Sequence, residues 1–430
     1  MALGAGHRRF GVDLATLLAG AGTAQALSLA IVPLISRLYT PEDFGTAAFF
    51  GALLTFLTPL SSVRLEQAII LPEDGEEAHR LTLVALGLIF CTALAVGLLL
   101  LGWDVIFGLE GAGKGLGRLL YLLPLSVLLN ASGSALDMRQ MRAKAFRRLS
   151  SSNVGQSASM GAVRIALGTI FGSTVGGLLV GLLVSQFTRL CILLDARTWR
   201  GVIGLDTPSL SALVATAKRY RDFPLYAAPT AVLNRLWGQL PVYMLAFFFG
   251  PAAVGLYAMT ARALRSPLEL AGTSSRRIFL QRASARRNAR RSITDLFFLI
   301  SVGFMLLALP PFAAVYFYGK AIFTLVLGEA WANSGGYAKA LLPWLITMIP
   351  MMTANSVFYV FRRLNWWMLL QVMLTVGGLT TFALGSYLGW DPVHTVSAFS
   401  WVNFGLYFVV AGVAGWLTLQ PVPEDPTGGS

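Results

Sequence analysis

Apolar residues in this chain run in long unbroken stretches, divided by short polar clusters, and neither a two-residue nor a seven-residue alternation persists. A helix needs about 20 apolar residues to cross the hydrocarbon core of a bilayer. Ten stretches of at least 18 residues contain no Asp, Glu, Lys or Arg: 14–36, 44–63, 81–103, 119–136, 165–188, 236–261, 296–319, 340–361, 364–390 and 392–423. Two further spans lie behind single arginines. Residues 155–171 are interrupted only by Arg164 and closed by the turn Gly172-Ser173-Thr174, and Phe223 to Phe249 contains Arg235, ends at Gly250-Pro251 and is followed by a crossing from Ala252 to about Ala271. The pattern predicts an all-α polytopic membrane protein with twelve transmembrane helices. The first apolar run is too long for a signal-peptide core and is read as a span, with no cleavable leader expected.

Composition agrees with this picture. Of 430 residues, 56% are hydrophobic and 12% charged, and the mean hydropathy is +0.67. Soluble domains carry roughly 25% charged residues. An ordinary soluble enzyme, a disordered chain and a disulfide scaffold are therefore excluded. Cys91 and Cys191 sit in apolar runs without metal-ligand spacing and read as small core residues.

The net charge of +13 is explained by topology rather than by nucleic acid. With the N-terminus in the cytoplasm, 23 of the 33 Lys and Arg residues fall in inside segments, 5 in outside segments and 5 within spans. That bias predicts a cytoplasmic location for both termini and for the loop from Arg276 to Arg291, and an outside location for Gly108–Gly117. The basic loop would suit anionic lipid, but topogenic charge accounts for it. Gly108-Leu109-Glu110-Gly111-Ala112-Gly113-Lys114 fits a phosphate-binding loop, yet Gly115 follows where Ser or Thr is needed for magnesium. The outer connections are also too short for a catalytic domain, so a transporter is expected and an enzyme is not. Glu42 and Asp43 are expected to cap span 2.

The connection after span 1 reads Pro41-Glu42-Asp43-Phe44-Gly45, and the one after span 7 reads Pro251-Ala252-Ala253-Val254-Gly255, displaced by 210 residues. This P-x-x-[FV]-G repeat joins equivalent spans of two six-span halves and predicts parallel structural repeats, as in many transporters. The lobes are expected at 1–205 and 206–430, joined by a polar connector whose Ser209–Tyr220 stretch can form an amphipathic helix. Prolines at 33, 59, 124, 229, 241, 267, 310, 343 and 350 predict bent helices.

Ionisable groups at membrane depth are candidate functional residues. Arg164, Arg235 and Arg262 lie near the middle of their spans, and Arg189 and Arg265 lie close enough to an end to snorkel. Carboxylates at comparable depth are read as few, namely Glu66 beside Arg64 and Glu269. On span 8, Arg262, Arg265, Ser266 and Glu269 share a helix face, and Glu269 can pair with Arg265, leaving Arg262 as the less compensated charge. On span 7, Arg235 and Gln239 are four apart, with Asn234 adjacent. An interior with surplus arginine implies an anionic guest, and guanidinium binds phosphate or pyrophosphate through a bidentate fork.

Several stretches resemble the oligosaccharide flippases of the Wzx type, polysaccharide transporters within the multidrug/oligosaccharidyl-lipid/polysaccharide exporter superfamily. They are PLISRLYTPEDFGTAAFF, SVRLEQAIILPEDGEEA, MRQMRAKAFRRL and the long segment from Tyr220 to Leu270 that contains FPLYAAPTAVLNRLWGQLPVYMLAFFFGPAAVGLYAMTARALRSPLEL. The resemblance implies two six-helix lobes around a central cavity. It also implies alternating-access transport of polyprenyl-pyrophosphate-linked repeat units across a bacterial inner membrane, for O-antigen, capsule or exopolysaccharide assembly. The positions at corresponding words are Arg37, Arg64, Arg235 and Arg262, and Arg164 maps to none of them. The full expected binding set is Arg262, Arg235, Arg64, Arg37, Arg164 and Arg265, supported by Asn234, Gln239, Glu66 and Glu269. No cofactor or metal is expected, and coupling to a proton gradient, a sodium gradient or the membrane potential stays open. The expected partners are the lipid-linked oligosaccharide, membrane lipids and the polysaccharide polymerase or chain-length machinery, with no nucleic acid, and the chain is expected to act as a monomer. The alternatives are a multidrug exporter and a lipid II exporter of the same superfamily.

Overall fold

Backbone N–H and C=O groups cannot remain unpaired in hydrocarbon, so each apolar stretch must satisfy them within itself as a helix. The computed structural model describes residues 2–107, 116–202, 208–288, 292–361 and 363–419, and among these there are helices and no strands. In chain order the α-helices are α1 (Ala2–Leu38), α2 (Pro41–Ser61), α3 (Gly75–Phe107), α4 (Leu123–Arg142), α5 (Phe146–Phe171), α6 (Val175–Leu193), α7 (Ala196–Val202) and α8 (Leu210–Arg219). They continue as α9 (Ala228–Phe248), α10 (Pro251–Asn288), α11 (Thr294–Leu327), α12 (Ser334–Val360), α13 (Leu364–Tyr387) and α14 (Pro392–Leu419).

Setting aside the short α7 and α8, twelve long helices remain among the described residues, one for each expected span. Nine candidate spans are long and apolar enough to cross a membrane on composition alone. The other three long helices are α5, α9 and α10, the ones interrupted by Arg164, Arg235 and the Arg262–Arg265 pair. Several helices overrun the apolar stretches that announced them. In particular, α10 continues to Asn288, so most of the expected Arg276–Arg291 loop is helix. The phosphate-loop look-alike at Gly108–Lys114 lies outside the described residues.

Contacts divide the chain into two compact units. The first takes in Met1–Ala246 and Gly250–Gly255, and the second Phe247–Phe249 and Leu256–Ser430. In the first unit α1 packs on α5, α5 on α6, α3 on α4, and α2 on α4 and α6. Its buried centre includes Phe50, Leu54, Leu123, Val127 and Leu179. In the second, α11 and α14 both pack along α12, and α13 packs on α14.

Local chemistry sets the entry to α2, with Asp43 in the cap as expected, Thr40 as the capping residue and Glu42 only in the first turn. Thr40 caps the helix and forms a reciprocal capping box with Asp43, and Ser173 also hydrogen-bonds the Asp43 carboxylate. The connector helix α8 is present, capped by Ser209, and Arg219 in its last turn pairs with Glu77 at 2.9 Å. At the same end of the first unit, Arg139 grips Asp195 through two hydrogen bonds of 3.1 and 3.0 Å. Burial pushes the Asp195 carboxyl up, but Arg139 and Thr198 outweigh it and hold it below the usual carboxylate range.

The two repeat words meet each other, and all of the residues involved belong to the first unit. A Cβ placed on Gly45 would lie 1.7 Å from the Pro251 carbonyl oxygen, and one placed on Gly255 would lie 1.7 Å from that of Pro41. The first turns of α2 and α10 therefore cross with backbone against backbone, reciprocally, which only glycine permits.

Cys91 and Cys191 are exposed rather than in the core. An apolar neighbourhood does not distinguish a buried face from a lipid-facing one, because both exclude charge. With those cysteines removed, a cysteine at Gly113 is expected to react with an impermeant maleimide in intact cells, and one at Ser284 only after permeabilisation. Labelling of Ser284 from outside would reverse the orientation.

Candidate functional site

The site begins where α2 breaks. Ser61 bonds its hydroxyl back to the Thr58 carbonyl, and the next residues leave the helix. Val63 and Arg64 then adopt φ of 45° and 63°, the left-handed region, before a 3-10 turn covers Leu65–Ile70. A β-branched residue there is costly, on the order of 1–3 kcal/mol. The break is held by its surroundings: Ala68 and Ile69 are wholly buried against Leu81, Ala85, Ile89, Ala131 and Ala135.

This backbone presents Arg64 beside Glu66, which is 5% exposed. Arg64 Nη1 lies 3.3 Å from Glu66 Oε1, and the Ser62 hydroxyl donates to the other carboxylate oxygen. Among the described residues, Arg64 Nε is buried without a hydrogen-bond partner. Glu66 thus restrains part of the guanidinium while a donor on the same group remains unspent.

The opposite wall comes from the segment leading into α9. Phe223–Ala227 forms a π-helical turn with Pro224 in its first turn, and its spacing aligns Phe223, Tyr226, Ala227, Thr230, Ala231 and Asn234. Between this face and Arg64 lies an open cavity of about 510 Å³, completed by Gln67 and Asp222. Its size is that of a small-molecule site. One cation, one carboxylate, two amides, a hydroxyl and two aromatic rings line it, and the guanidinium and amides are the groups that can hold a phosphate beside a hydroxylated ring.

Of the expected residues, the structure brings together Arg64, Glu66 and Asn234 and leaves the others apart. Arg37 is exposed at the opposite end of α2 from Arg64, about 30 Å away along the helix at 1.5 Å per residue. Arg164 is clamped between α5 and α6: its Nε donates to the Leu178 carbonyl at 3.1 Å, and its side chain lies over Gly181. Arg235 is exposed on α9, with Gln239 one turn on, and neither lines the cavity. In the second unit Arg265 pairs with Glu269 at 3.2 Å, as the spacing implies, and also lies 5.1 Å over the Trp344 ring. Arg262 is exposed on the same helix.

The reading that Glu66 and Glu269 are the main carboxylates at depth needs correction. Asp137 on α4 forms an ion pair with Arg189 on α6, so Arg189 is compensated inside the helix bundle. A search for charge-free stretches stopped span 4 at residue 136, one residue short of Asp137, whereas α4 continues to Arg142. Sequence reasoning also missed Gln67, Asp222, Thr230 and the two aromatic residues. The 223/226/227/230/231/234 spacing marks a helical face, but nothing marks it as lining a cavity.

Long apolar helices in two units, with a cavity at a broken helix that mixes a guanidinium with amides and aromatic rings, define a polytopic membrane protein. A family model described as polysaccharide biosynthesis protein matches residues 34–335, and the chain belongs to that family. It is similar to the succinoglycan biosynthesis transport protein ExoT of Rhizobium meliloti (strain 1021), 21% identical over 392 residues, with 88% of this chain and 76% of the relative covered. The lipid II flippase MurJ in an inward closed conformation shares the fold with a TM-score of 0.65 at 13% identity, over 94% of this chain and 86% of that one. An inward-facing multidrug resistance MATE family transporter of the MOP superfamily does so at 0.61 and 13%, over 92% and 93%. Among the described residues no cluster of three or more His, Cys, Asp or Glu could hold a metal ion.

Proposed function

We propose that the protein is a flippase that moves polyprenyl-pyrophosphate-linked oligosaccharide across the cytoplasmic membrane of a bacterium. The reading includes alternating access between lobes at 1–205 and 206–430, with both termini inside. The observation that carries it is the part-exposed Arg64 guanidinium lining a cavity that also offers two amides and two aromatic rings. The chemistry follows from those groups. A pyrophosphate cannot enter hydrocarbon uncompensated, and a planar guanidinium accepts its oxygens in a fork. Phe223 and Tyr226 offer ring faces to sugars, while Gln67, Thr230 and Asn234 offer hydrogen bonds to hydroxyls.

Glu66 gives the site a release device. It keeps part of the Arg64 charge occupied, so the anion is held less tightly than by a bare cation and can leave. Arg235 and Arg262 remain in the reading as further cations on the substrate's path, and Arg37 as one at the exit. The packing of Arg164 and Arg265 favours a structural part for both. The name of ExoT, a succinoglycan biosynthesis transport protein, supports a saccharide cargo over a drug.

The test is reconstitution of the purified chain into liposomes with a fluorescent polyprenyl-pyrophosphate oligosaccharide and, separately, a cationic dye. Transbilayer movement of the lipid-linked sugar, with no dye export under a proton or sodium gradient, is expected. Dye export without movement of the lipid-linked sugar would overturn the reading in favour of multidrug transport.

A further inference from the structure

A second feature lies wholly within the second unit. α11 and α14 both pack along α12 but make little contact with each other. Two cavities, of about 780 and about 440 Å³, occupy the gap between them. On α12 they are lined by Gly336, Lys339, Pro343, Thr347 and Pro350, which succeed one another every three or four residues along one face. The lining stripes on α11, from Phe297 to Phe317, and on α14, from Val393 to Leu419, are continuous in the same way. The two cavities are therefore halves of one groove. Its α12 face alone runs about 21 Å at 1.5 Å per residue, and its α11 face about 30 Å.

The wall of this groove is largely apolar. Thr347 spends its hydroxyl on the Trp344 carbonyl at 2.7 Å, and the Tyr407 hydroxyl accepts from Trp344 Nε1 at 3.2 Å. What remains is largely Phe, Leu, Met, Pro and Trp, which suits hydrocarbon and not a sugar. The polar exceptions are the Ser301 and Ser397 hydroxyls along the wall and, more strongly, one end. There Lys339 is exposed, with its ammonium 5.4 Å over the Tyr316 ring, and His394 lies beside Asp391. A cation at the mouth of an apolar groove complements a lipid whose head is anionic.

Length selects among such lipids. An acyl chain fills one leaflet, about half of the 30 Å core, whereas this groove continues past that depth. We infer that the groove between α11, α12 and α14 binds the chain of a polyprenyl phosphate lengthwise, with its phosphate at Lys339. The charge bias places that end outside, the side on which a flipped carrier lipid presents its head. The inference rests on the lipid-linked reading above but concerns a different site.

The full chain in nanodiscs is to be photolabelled with polyprenyl phosphate carrying a diazirine near the far end of its chain, and the adducts mapped. Labels are expected on α11, α12 and α14, with at least fivefold less labelling in Gly412→Trp. A Cβ at Gly412 meets nothing within 4 Å, so the side chain can enter the groove, and Gly22→Trp, equally open, is the control. Lys339→Gln is expected to erase the preference for polyprenyl phosphate over polyprenol. Excess unlabelled polyprenyl phosphate must suppress labelling of the unsubstituted chain, which decides the matter even if Gly412→Trp does not assemble. Adducts elsewhere, no suppression, or equal labelling by a diazirine phosphatidylglycerol would overturn the inference. If the groove is labelled while liposomes show no movement of lipid-linked sugar, the flippase reading fails and the site stands. If that sugar moves while the groove stays unlabelled, the site alone fails.

Discussion

Replacing Arg64 with alanine is expected to lower transport of lipid-linked oligosaccharide about 10- to 100-fold, the loss of a charge-assisted hydrogen-bonded contact worth roughly 1.5–3 kcal/mol. Membrane abundance should fall less than transport, because the side chain is part-exposed and the Ser62 hydroxyl still hydrogen-bonds the Glu66 carboxylate. Arg64→Lys keeps the charge but not the fork and should recover activity only in part. The backbone supplies a second, independent readout. At φ 63° a Cβ is strained, so Arg64→Gly should be more stable than Arg64→Ala by about 1 kcal/mol. Both variants should nevertheless lose transport alike. Thermal unfolding in detergent and the liposome assay separate the two effects. Normal transport by Arg64→Ala and Arg64→Gly at equal abundance would remove the cavity from the mechanism.

Gly45→Ala and Gly255→Ala are expected to be the most damaging single-methyl additions in the first unit. At either position the new Cβ would lie 1.7 Å from a backbone carbonyl oxygen, which cannot swing aside as a flexible side chain can. The helix starts would have to separate, at a cost on the order of 1–3 kcal/mol or more by comparison with overpacked cores. Because the contact is reciprocal, the double substitution should cost less than the sum of the two singles, since the first separation makes room for the second methyl. Gly51→Ala, on the same helix with nothing within 4 Å, should be neutral or mildly stabilising. Melting temperatures of the four variants test this. Equal stability of Gly45→Ala and Gly51→Ala would mean that the crossing is looser than described.

Where the sequence was a good guide, the physical determinant was local or one-dimensional. Asp43 takes part in the cap of α2 as read from the sequence, with Thr40 rather than Glu42 as its partner, because a cap needs only neighbours. The pairing of Arg265 with Glu269 followed from helical spacing. The displaced P-x-x-[FV]-G words were legible as a repeat, but that the two glycines face each other's proline carbonyls was not, since nothing in either word says which helix will cross it. Asp137 was passed over because a charge-free window ends a span at the first carboxylate, whereas a membrane helix admits one wherever a partner such as Arg189 faces it.

The sequence by itself determined that the chain crosses a membrane many times and which stretches form the cores of the helices, though not where many of them end. Hydrocarbon forces every apolar stretch of sufficient length to form a helix whatever its neighbours do. Tertiary structure decided which of ten candidate residues share a site. Val63 and Arg64 enter the left-handed region only because Ala68 and Ile69 are buried behind them, and that turn, not the residue type, sets Arg64 opposite Asn234. The same holds for Arg164, a deep arginine like the others in sequence, which the approach of α6 at Gly181 turns into a packing residue. Depth along a helix is a property of spacing, but the direction a side chain faces depends on which helix stands beside it.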